Sequence, residues 1–446
     1  MLINSIFSTL IIIILGGGQM IFMNFCKSTY KSPLFPLQNY SGRFLHITDI
    51  HFDPDYIYPS SPSKFCHRKS HKNKNNNAGK FGSIQTGCDS PYTLINSTFE
   101  FLKKNFSQVD FIIYTGDSCR HGRDLKNPVV EEDILFCHQI LIEWFTKYFD
   151  PKKVKIIPTF GNNDLLEHNS LEEGPNTLFS NLTQIWAPLH LNLTHNFNIG
   201  GYFRQDVNSR LSVLSLNSMY FYKENLLVPD CEKEDSPGSK QLKWIERELI
   251  NAKEENRKIY ISHHVPPLDS DGSPAFYEKC YEKYIQLLGD YSNIIYGHFT
   301  GHTNLDTLTF VTSTFRTFGE SLKKKYNLIL VTDEEKEESH SNDPVVLVLN
   351  NAPSIIPVNN PAIREYVYST KDNNDFGVLL NYFQYFANLT EANNIGKVRW
   401  ELEYMAKELY GINRLQGDDW ENVLREFRKP NLELWERYKK YVYVSR

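Results

Sequence analysis

The chain has 446 residues, 41% of them hydrophobic and 14% aromatic, enough to bury one large core or two. Its 48 Lys and Arg against 53 Asp and Glu leave a net charge of −5, which argues against a generally nucleic-acid-binding protein and leaves room only for local basic patches. No internal repeat is evident, which sets aside solenoids and propellers.

At the N-terminus, Leu2 to Cys26 carry no charge, with LIIIIL at the centre and the first charged side chain at Lys27. Such a stretch predicts a secretory-route segment within residues 1–40, either a cleaved signal peptide or a single-span membrane anchor. Six N-x-S/T sequons, at Asn39, Asn96, Asn105, Asn181, Asn192 and Asn388, fit N-linked glycans on a lumenal chain. Of seven cysteines, Cys26 ends the apolar segment and six remain, an even number that suits three disulfides. Six cysteines permit fifteen pairings. Chain order suggests Cys66–Cys88, Cys119–Cys137 and Cys231–Cys280.

FLHITDIHFD, residues 44–53, is an apolar run read as a strand that ends in Asp49, His51 and Asp53. Side chains two apart on a strand share a face, so Asp49 and His51 are expected to emerge together. A lone Asp-x-His is more often a solvated hairpin edge. SKFCHRKSHKNKNNNAGKFG then reads as a long exposed loop. SPYTLINSTFEFLKKNF has helical spacing, VDFIIYTGD is an apolar strand closing in a turn, and VEEDILFCHQILIEWFTKYF is a second helix. KVKIIPTFGNND and RLSVLSLNS are again strands, QLKWIERELINAKEENRK a helix, and KIYISHHVPP a strand followed by a loop. Strands apolar on both faces, alternating with helices, imply an α/β protein over residues 41–371 with sheets sandwiched by helices. Residues 372–446 read as a C-terminal helical extension without strands, and the acidic stretch 333–343 as a solvated loop.

Four more turn regions carry ligand-type residues: Asp117 in YTGDS, Asn162 in FGNND, His263 and His264 in ISHHVPP, and His302 in GHTNLD. Singly each is an ordinary turn residue. Together, at the carboxyl ends of strands in an α/β sheet, they compose a set of oxygen and imidazole donors. A set with one shared carboxylate could hold two divalent ions that clamp a phosphoryl oxygen and lower the pKa of a bridging water.

The order DIH, GD, GNND, HHVPP and GHTN resembles the calcineurin-like metallophosphoesterases, whose fold is a β-sandwich flanked by helices. FLHITDIHFDPDY, GNNDLLEHN where most relatives have GNH, the stretch from GGYF through SVLSLNSMYF to SHHVPP, and GHTNLD resemble the acid sphingomyelinase-like branch and its fungal-type endopolyphosphatases. The resemblance covers residues 42–446. It implies two divalent metal ions (Zn, Mn, Mg, Co or Fe), with Asp49 and His51 on the first, Asp117 between both, and Asn162, His264 and His302 on the second. Asn304 stands where the broad family has His, as G-H-x-H, so a weaker carboxamide ligand is expected on the first metal. His298 is the alternative there, although its spacing disfavours it. The resemblance also makes His121 the leaving-group acid and His168 and Asn169 phosphate contacts, while Asp53, beyond the ligand pair, is expected to matter little.

Sphingomyelinases of this branch carry a lipid-presenting module before the catalytic domain, whereas here the first strand follows the apolar segment within about 20 residues. The loop after DIH instead offers Lys64, Arg68, Lys69, Lys72 and Lys74, which would attract a polyanion. A solvated loop made basic by chance is the plain alternative. The leading expectation is an endopolyphosphatase cutting inorganic polyphosphate in a vacuole- or lysosome-like lumen, with no nucleic-acid partner. A secreted or lysosomal phosphodiesterase acting on nucleotides or phosphocholine-type esters is the second reading, and a non-catalytic polyanion-binding glycoprotein the third.

Overall fold

The computed structural model describes residues 40–318, 321–332, 343–427 and 433–444. The N-terminal apolar segment, the Asn39 sequon and residues 333–342 of the acidic stretch lie outside them. Among the described residues, no helix is long and apolar enough to cross a membrane.

In chain order the strands are β1 (Ser41–Ile47), β2 (Phe111–Tyr114), β3 (Lys155–Pro158), β4 (Phe203–Asp206), β5 (Leu211–Ser215), β6 (Lys258–Ser262), β7 (Ile295–Thr300), β8 (Thr307–Phe318), β9 (Ser321–Leu330), β10 (Val345–Asn351), β11 (Ala362–Ser369), β12 (Leu379–Ala387) and β13 (Trp400–Met405). They form two sheets, ordered β13-β12-β11-β1-β2-β3 and β4-β5-β6-β7-β10-β8-β9. Within each, the central strands are parallel: β1 with β2 and β3, and β5 with β6, β7 and β10. These strands are apolar on both faces because one side meets the other sheet and the other side meets helices, which confirms the expected α/β sandwich.

Phe44 shows how the sheets are joined. Register places it beside Phe111 and Tyr366, and its ring stacks on both, with centroids 4.5 and 5.0 Å away. Its edge meets Phe299 of the second sheet at 5.4 Å. Burying such a ring contributes roughly 2 kcal/mol, and the Phe299 contact ties the two sheets face to face. On the outside, helix Glu131–Tyr148 packs Trp144 and Phe145 against Phe52 and Tyr114. Helix Pro237–Glu254 starts where Ser236 accepts from the Ser239 N–H and Pro237 occupies a first-turn position that needs no donor.

Two expectations need correction. Residues 372–446 are not wholly helical, since β12 and β13 complete the first sheet and a boundary at 371 would cut the β11–β12 hairpin. In β13, Trp400, Leu402 and Tyr404 alternate with Glu401 and Glu403, a period of two that outranks the helix-forming character of the individual residues. Among the described residues, helices Ala406–Tyr410, Gly417–Phe427 and Glu433–Val442 follow it. Cys66–Cys88 and Cys231–Cys280 are disulfides, but Cys119 and Cys137 are free buried thiols with sulfurs 2.8 Å apart. Each donates to a carbonyl, Cys119 to Asp133 and Cys137 to Phe52, so neither needs the bond for satisfaction.

Candidate metal centre

β1 ends at Ile47, so Asp49 and His51 sit on the loop that follows and not on the strand face. Their backbones are left-handed, with φ of 49° and 43°. The N–H groups of Asp49 and His51 donate to the carbonyls of Gly116 and Asp117 at 3.0 Å, extending the β1–β2 pairing into the turn. Asp117, His302 and Asn304 are also left-handed, at 58°, 73° and 60°. Non-glycine residues avoid this region, and a cluster of them marks a functional site held in place by its surroundings.

Asp117 occupies the middle. One of its oxygens, Oδ2, lies 3.3 Å from His51 Nε2 and 3.2 Å from His264 Nε2. Asn163 donates to both its oxygens, through the backbone N–H at 2.9 Å and Nδ2 at 2.8 Å. Gly161 must be glycine because a Cβ there would come within 2.1 Å of Asp117 Oδ1. Both histidines are fixed from behind: His51 Nδ1 is 3.1 Å from the Cys119 carbonyl and His264 Nδ1 is 2.7 Å from that of Thr115. A carbonyl only accepts, so Nδ1 carries the proton and Nε2 is aimed at Asp117. Asn162 Oδ1 lies 2.9 Å from both His264 Nε2 and His302 Nδ1. Asp49 Oδ2 accepts from Thr48 Oγ1 and the His302 N–H.

The residues fit a pair of cations. Asp49 Oδ1 and Asn304 Oδ1 are buried and make no hydrogen bond among the described residues. Donor atoms of Asp49, Asp117 and His264 lie within 4.8 Å of one another. Burial pulls down the pKa of His51, but Asp117 and Asp49 outweigh it and push it up to about 10, while Asp117 raises His264 to about 9 against the same burial. Buried carboxylates therefore keep protons on imidazoles that would otherwise be neutral, and a divalent ion supplies the same counter-charge. His302, with burial dominant, falls to about 4 and stands ready as a neutral donor.

His121 and His168 flank this cluster. The His121 ring stacks on His51, with centroids 4.2 Å apart and planes 8° apart. His168 Nε2 is 2.8 Å from Asn162 Nδ2, and the Asn169 N–H donates to the Asn162 carbonyl. His298 is no substitute for Asn304, being buried in β7 and bonded to His263 and Tyr284.

The basic loop divides. Arg68 is committed to a bidentate pair with Asp124, at 2.6 and 2.8 Å, and Lys64 donates to the Lys69 carbonyl. Lys69, Lys72 and Lys74 are exposed. Asp53, expected to matter little, is buried and holds His67 Nε2 at 3.1 Å, while His67 Nδ1 meets Asp124 at 2.7 Å. Asp53 thus anchors the basic loop to the segment carrying His121. Sequence reasoning also passed over Asp164, which accepts from the N–H groups of Asp117, Ser118 and Gly161, and Asp89, which holds His121. For Asp164 the signal was available, a third polar residue in GNND where a turn needs two.

Residues 42–302 match the family model for calcineurin-like phosphoesterases, and residues 339–446 that for the acid sphingomyelin phosphodiesterase C-terminal region. An endopolyphosphatase of Kluyveromyces lactis is 38% identical over 278 residues, which are 59% of this chain and 40% of that protein. One of Cryptococcus neoformans is 30% identical over 449 residues, covering 85% of this chain and 66% of that protein. A Dictyostelium discoideum sphingomyelinase phosphodiesterase C is 30% identical over 392 residues, 85% of this chain and 80% of its own length. The chain thus spans well under half of the Kluyveromyces relative. A family model that covers more than half of the chain and ends on the very loop where His302 meets Asn162 places this protein among the calcineurin-like phosphoesterases.

Proposed function

We propose that this chain is an endopolyphosphatase that hydrolyses internal phosphoanhydride bonds of inorganic polyphosphate with two divalent metal ions. The convergence of His51 and His264 on one Asp117 oxygen, beside the orphan oxygens of Asp49 and Asn304, carries the hydrolytic reading. Similarity to endopolyphosphatases supports the substrate. In this reading Asp49, His51 and Asn304 would hold one ion, Asn162, His264 and His302 the other, with Asp117 supplying charge to each. Bound there, the ions would neutralise phosphoryl charge and activate a water. The protein's own groups do the rest. His168 and Asn169 hydrogen-bond the non-bridging oxygens, and His121 protonates the oxygen that leaves. Exposed Lys69, Lys72 and Lys74 draw in the polyanion.

The same proposal places the domain in a vacuole- or lysosome-like lumen, tethered by the N-terminal apolar segment and glycosylated. Asn192 and Asn388 suit glycans best. Both are exposed, and Asn388 uses only its oxygen in capping the next helix, leaving the amide nitrogen open.

A phosphodiesterase acting on phosphocholine-type or nucleotide esters is the second reading, favoured by the fuller coverage of the Dictyostelium relative. Purified protein incubated with long-chain polyphosphate, ATP and sphingomyelin, with and without chelator, separates the two. Chelator-sensitive shortening of polyphosphate to intermediate lengths is expected. Preferential cleavage of sphingomyelin or ATP supports the second reading, and chelator-insensitive turnover overturns the metal-dependent one.

A further inference from the structure

Residues 120–124, just downstream of Asp117, are pinned at both ends. At one end the Arg120 N–H donates to the Phe52 carbonyl at 3.1 Å, and its buried guanidinium donates to the carbonyls of Asn127 and Pro128. At the other end the Asp124 carboxylate accepts from Arg68 through both oxygens and also meets His67. Between these anchors run His121, Gly122 and Arg123. The His121 ring lies flat against that of His51. A Cβ added at Gly122 would meet nothing nearer than Val129, at 3.9 Å, so the stretch faces open space beside the metal centre.

Three arginines surround this stretch, and they differ in what they are free to bind. Arg68 is held by Asp124, and Arg120 by backbone carbonyls and the carboxylates of Asp53, Asp55 and Asp133. Arg123 is exposed, and among the described residues its guanidinium has no hydrogen bond or ion pair. The carboxylates best placed to quench it are committed elsewhere, Asp124 to Arg68 and Asp89 to the backbone and ring of His121. Its charge reaches the rim of the metal centre: burial lowers the pKa of His121 and of His168, and Arg123 lowers each further. The guanidinium therefore stands within electrostatic reach of both side chains that flank the cluster.

We propose that Arg123 is a specificity-determining residue that binds the phosphate group next to the one held at the metal centre, and so favours phosphoanhydrides over phosphate esters. This rests on the reading of the chain as a polyphosphate hydrolase. A planar guanidinium donates two parallel N–H bonds to a pair of phosphate oxygens, a match that an ammonium lacks. An ester presents carbon at that place, to which Arg123 donates nothing. Exposed lysines draw a polyanion in over a distance, whereas Arg123, on a backbone fixed at both ends, meets one phosphate at short range.

The test compares Arg123→Ala and Arg123→Lys with the parent on long-chain polyphosphate and on bis(p-nitrophenyl) phosphate, whose phosphorus has no phosphate neighbour. Inhibition by tripolyphosphate and by orthophosphate is measured alongside, with free metal held constant. Arg123→Ala is expected to lose about 10-fold or more in kcat/KM on polyphosphate and far less on the aryl diester, and to keep that difference at high salt. Inhibition by tripolyphosphate should weaken by a similar factor, while that by orthophosphate, which reaches only the metal centre, changes little. Arg123→Lys should recover only part of the loss, because one ammonium replaces a two-pronged donor. Metal content and Tm should match the parent, since the guanidinium pairs with nothing else among the described residues. Equal losses on the two substrates, a difference erased by salt, or full recovery in Arg123→Lys overturns the role of Arg123 and leaves the polyphosphatase reading standing. A parent that cleaves the aryl diester and leaves polyphosphate intact overturns that reading and this proposal with it.

Discussion

The carboxylate of Asp164 accepts the backbone N–H of Asp117 at 2.9 Å and that of Ser118 at 2.7 Å. The third residue of the turn after β3 thereby sets the left-handed backbone at the central ligand on the turn after β2. His138 Nε2, 3.3 Å from Asp164 Oδ1, closes the arrangement from the helix behind.

Asp164→Ala should therefore fail differently from Asp117→Asn. Removing Asp164 strands three buried N–H donors and a buried imidazole, at a cost of about 3 kcal/mol or more. The expected result is a lower Tm together with loss of bound metal, although Asp164 ligates nothing. Asp117→Asn should abolish turnover, because a carboxamide supplies no charge to share between two ions, and should lower the Tm in chelator only through the lost pairing with His51 and His264. Calorimetry with elemental analysis checks both, and full activity of folded Asp117→Asn would remove the two-metal mechanism.

Asn304 tests the weaker side of the centre. Its buried Oδ1 makes no hydrogen bond among the described residues while its Nδ2 donates to the His302 carbonyl, so the oxygen is the atom open to a ligand. Asn304→Leu is expected to raise the metal concentration needed for half-maximal activity about tenfold or more. Asn304→His should lower it and shift preference towards imidazole-favouring ions such as zinc. Titration of chelated enzyme with Zn, Mn, Mg and Co measures both, and unchanged metal dependence in both variants would take Asn304 out of the ligand set.

Metal removal has a pH signature. In the metal-free protein His51 and His264 are raised to about 10 and about 9 from an ordinary 6.5. Groups raised on folding stabilise fully below their unfolded value and lose that contribution as pH rises through the folded one. The Tm of the chelated protein should thus fall between about pH 7 and pH 10, and the Tm gain on adding metal should widen over the same range. A gain that is constant from pH 6.5 to pH 9 would contradict the proton-for-metal exchange.

Much of this site was legible in the sequence, for a physical reason. Asp49, His51, Asp117, Asn162, His264 and His302 each follow an apolar strand or a glycine turn, and parallel strands deliver such ends to one place. Asp89 was hidden because its partners are the backbone N–H and a ring nitrogen of His121, which leave no spacing to read. β13 was hidden because Trp400–Met405 is short, and Glu and Met favour helices locally while pairing with β12 decides otherwise. Arg68 looked interchangeable with its neighbouring lysines until Asp124, 56 residues on, was seen to hold it.

That division of the basic loop makes the prediction about substrate sharper. Lys69→Ser, Lys72→Ser and Lys74→Ser together remove exposed charge without touching a hydrogen bond of the site, so KM for long polyphosphate should rise several-fold while a small aryl phosphate is almost unaffected. A long chain gains from contacts remote from the scissile bond and a small ester does not. Added salt should erase the difference, because exposed charges are screened over about 8 Å at physiological ionic strength. Arg68→Ser should behave otherwise, since it breaks the bidentate hold on Asp124, which also meets His67 and through it Asp53. Losing that hold frees the segment that carries His121, so kcat should drop on both substrates and salt should not restore it. Equal, salt-sensitive KM effects from Arg68→Ser and the lysine set would return Arg68 to the substrate path and leave the Asp124 pair without a structural role.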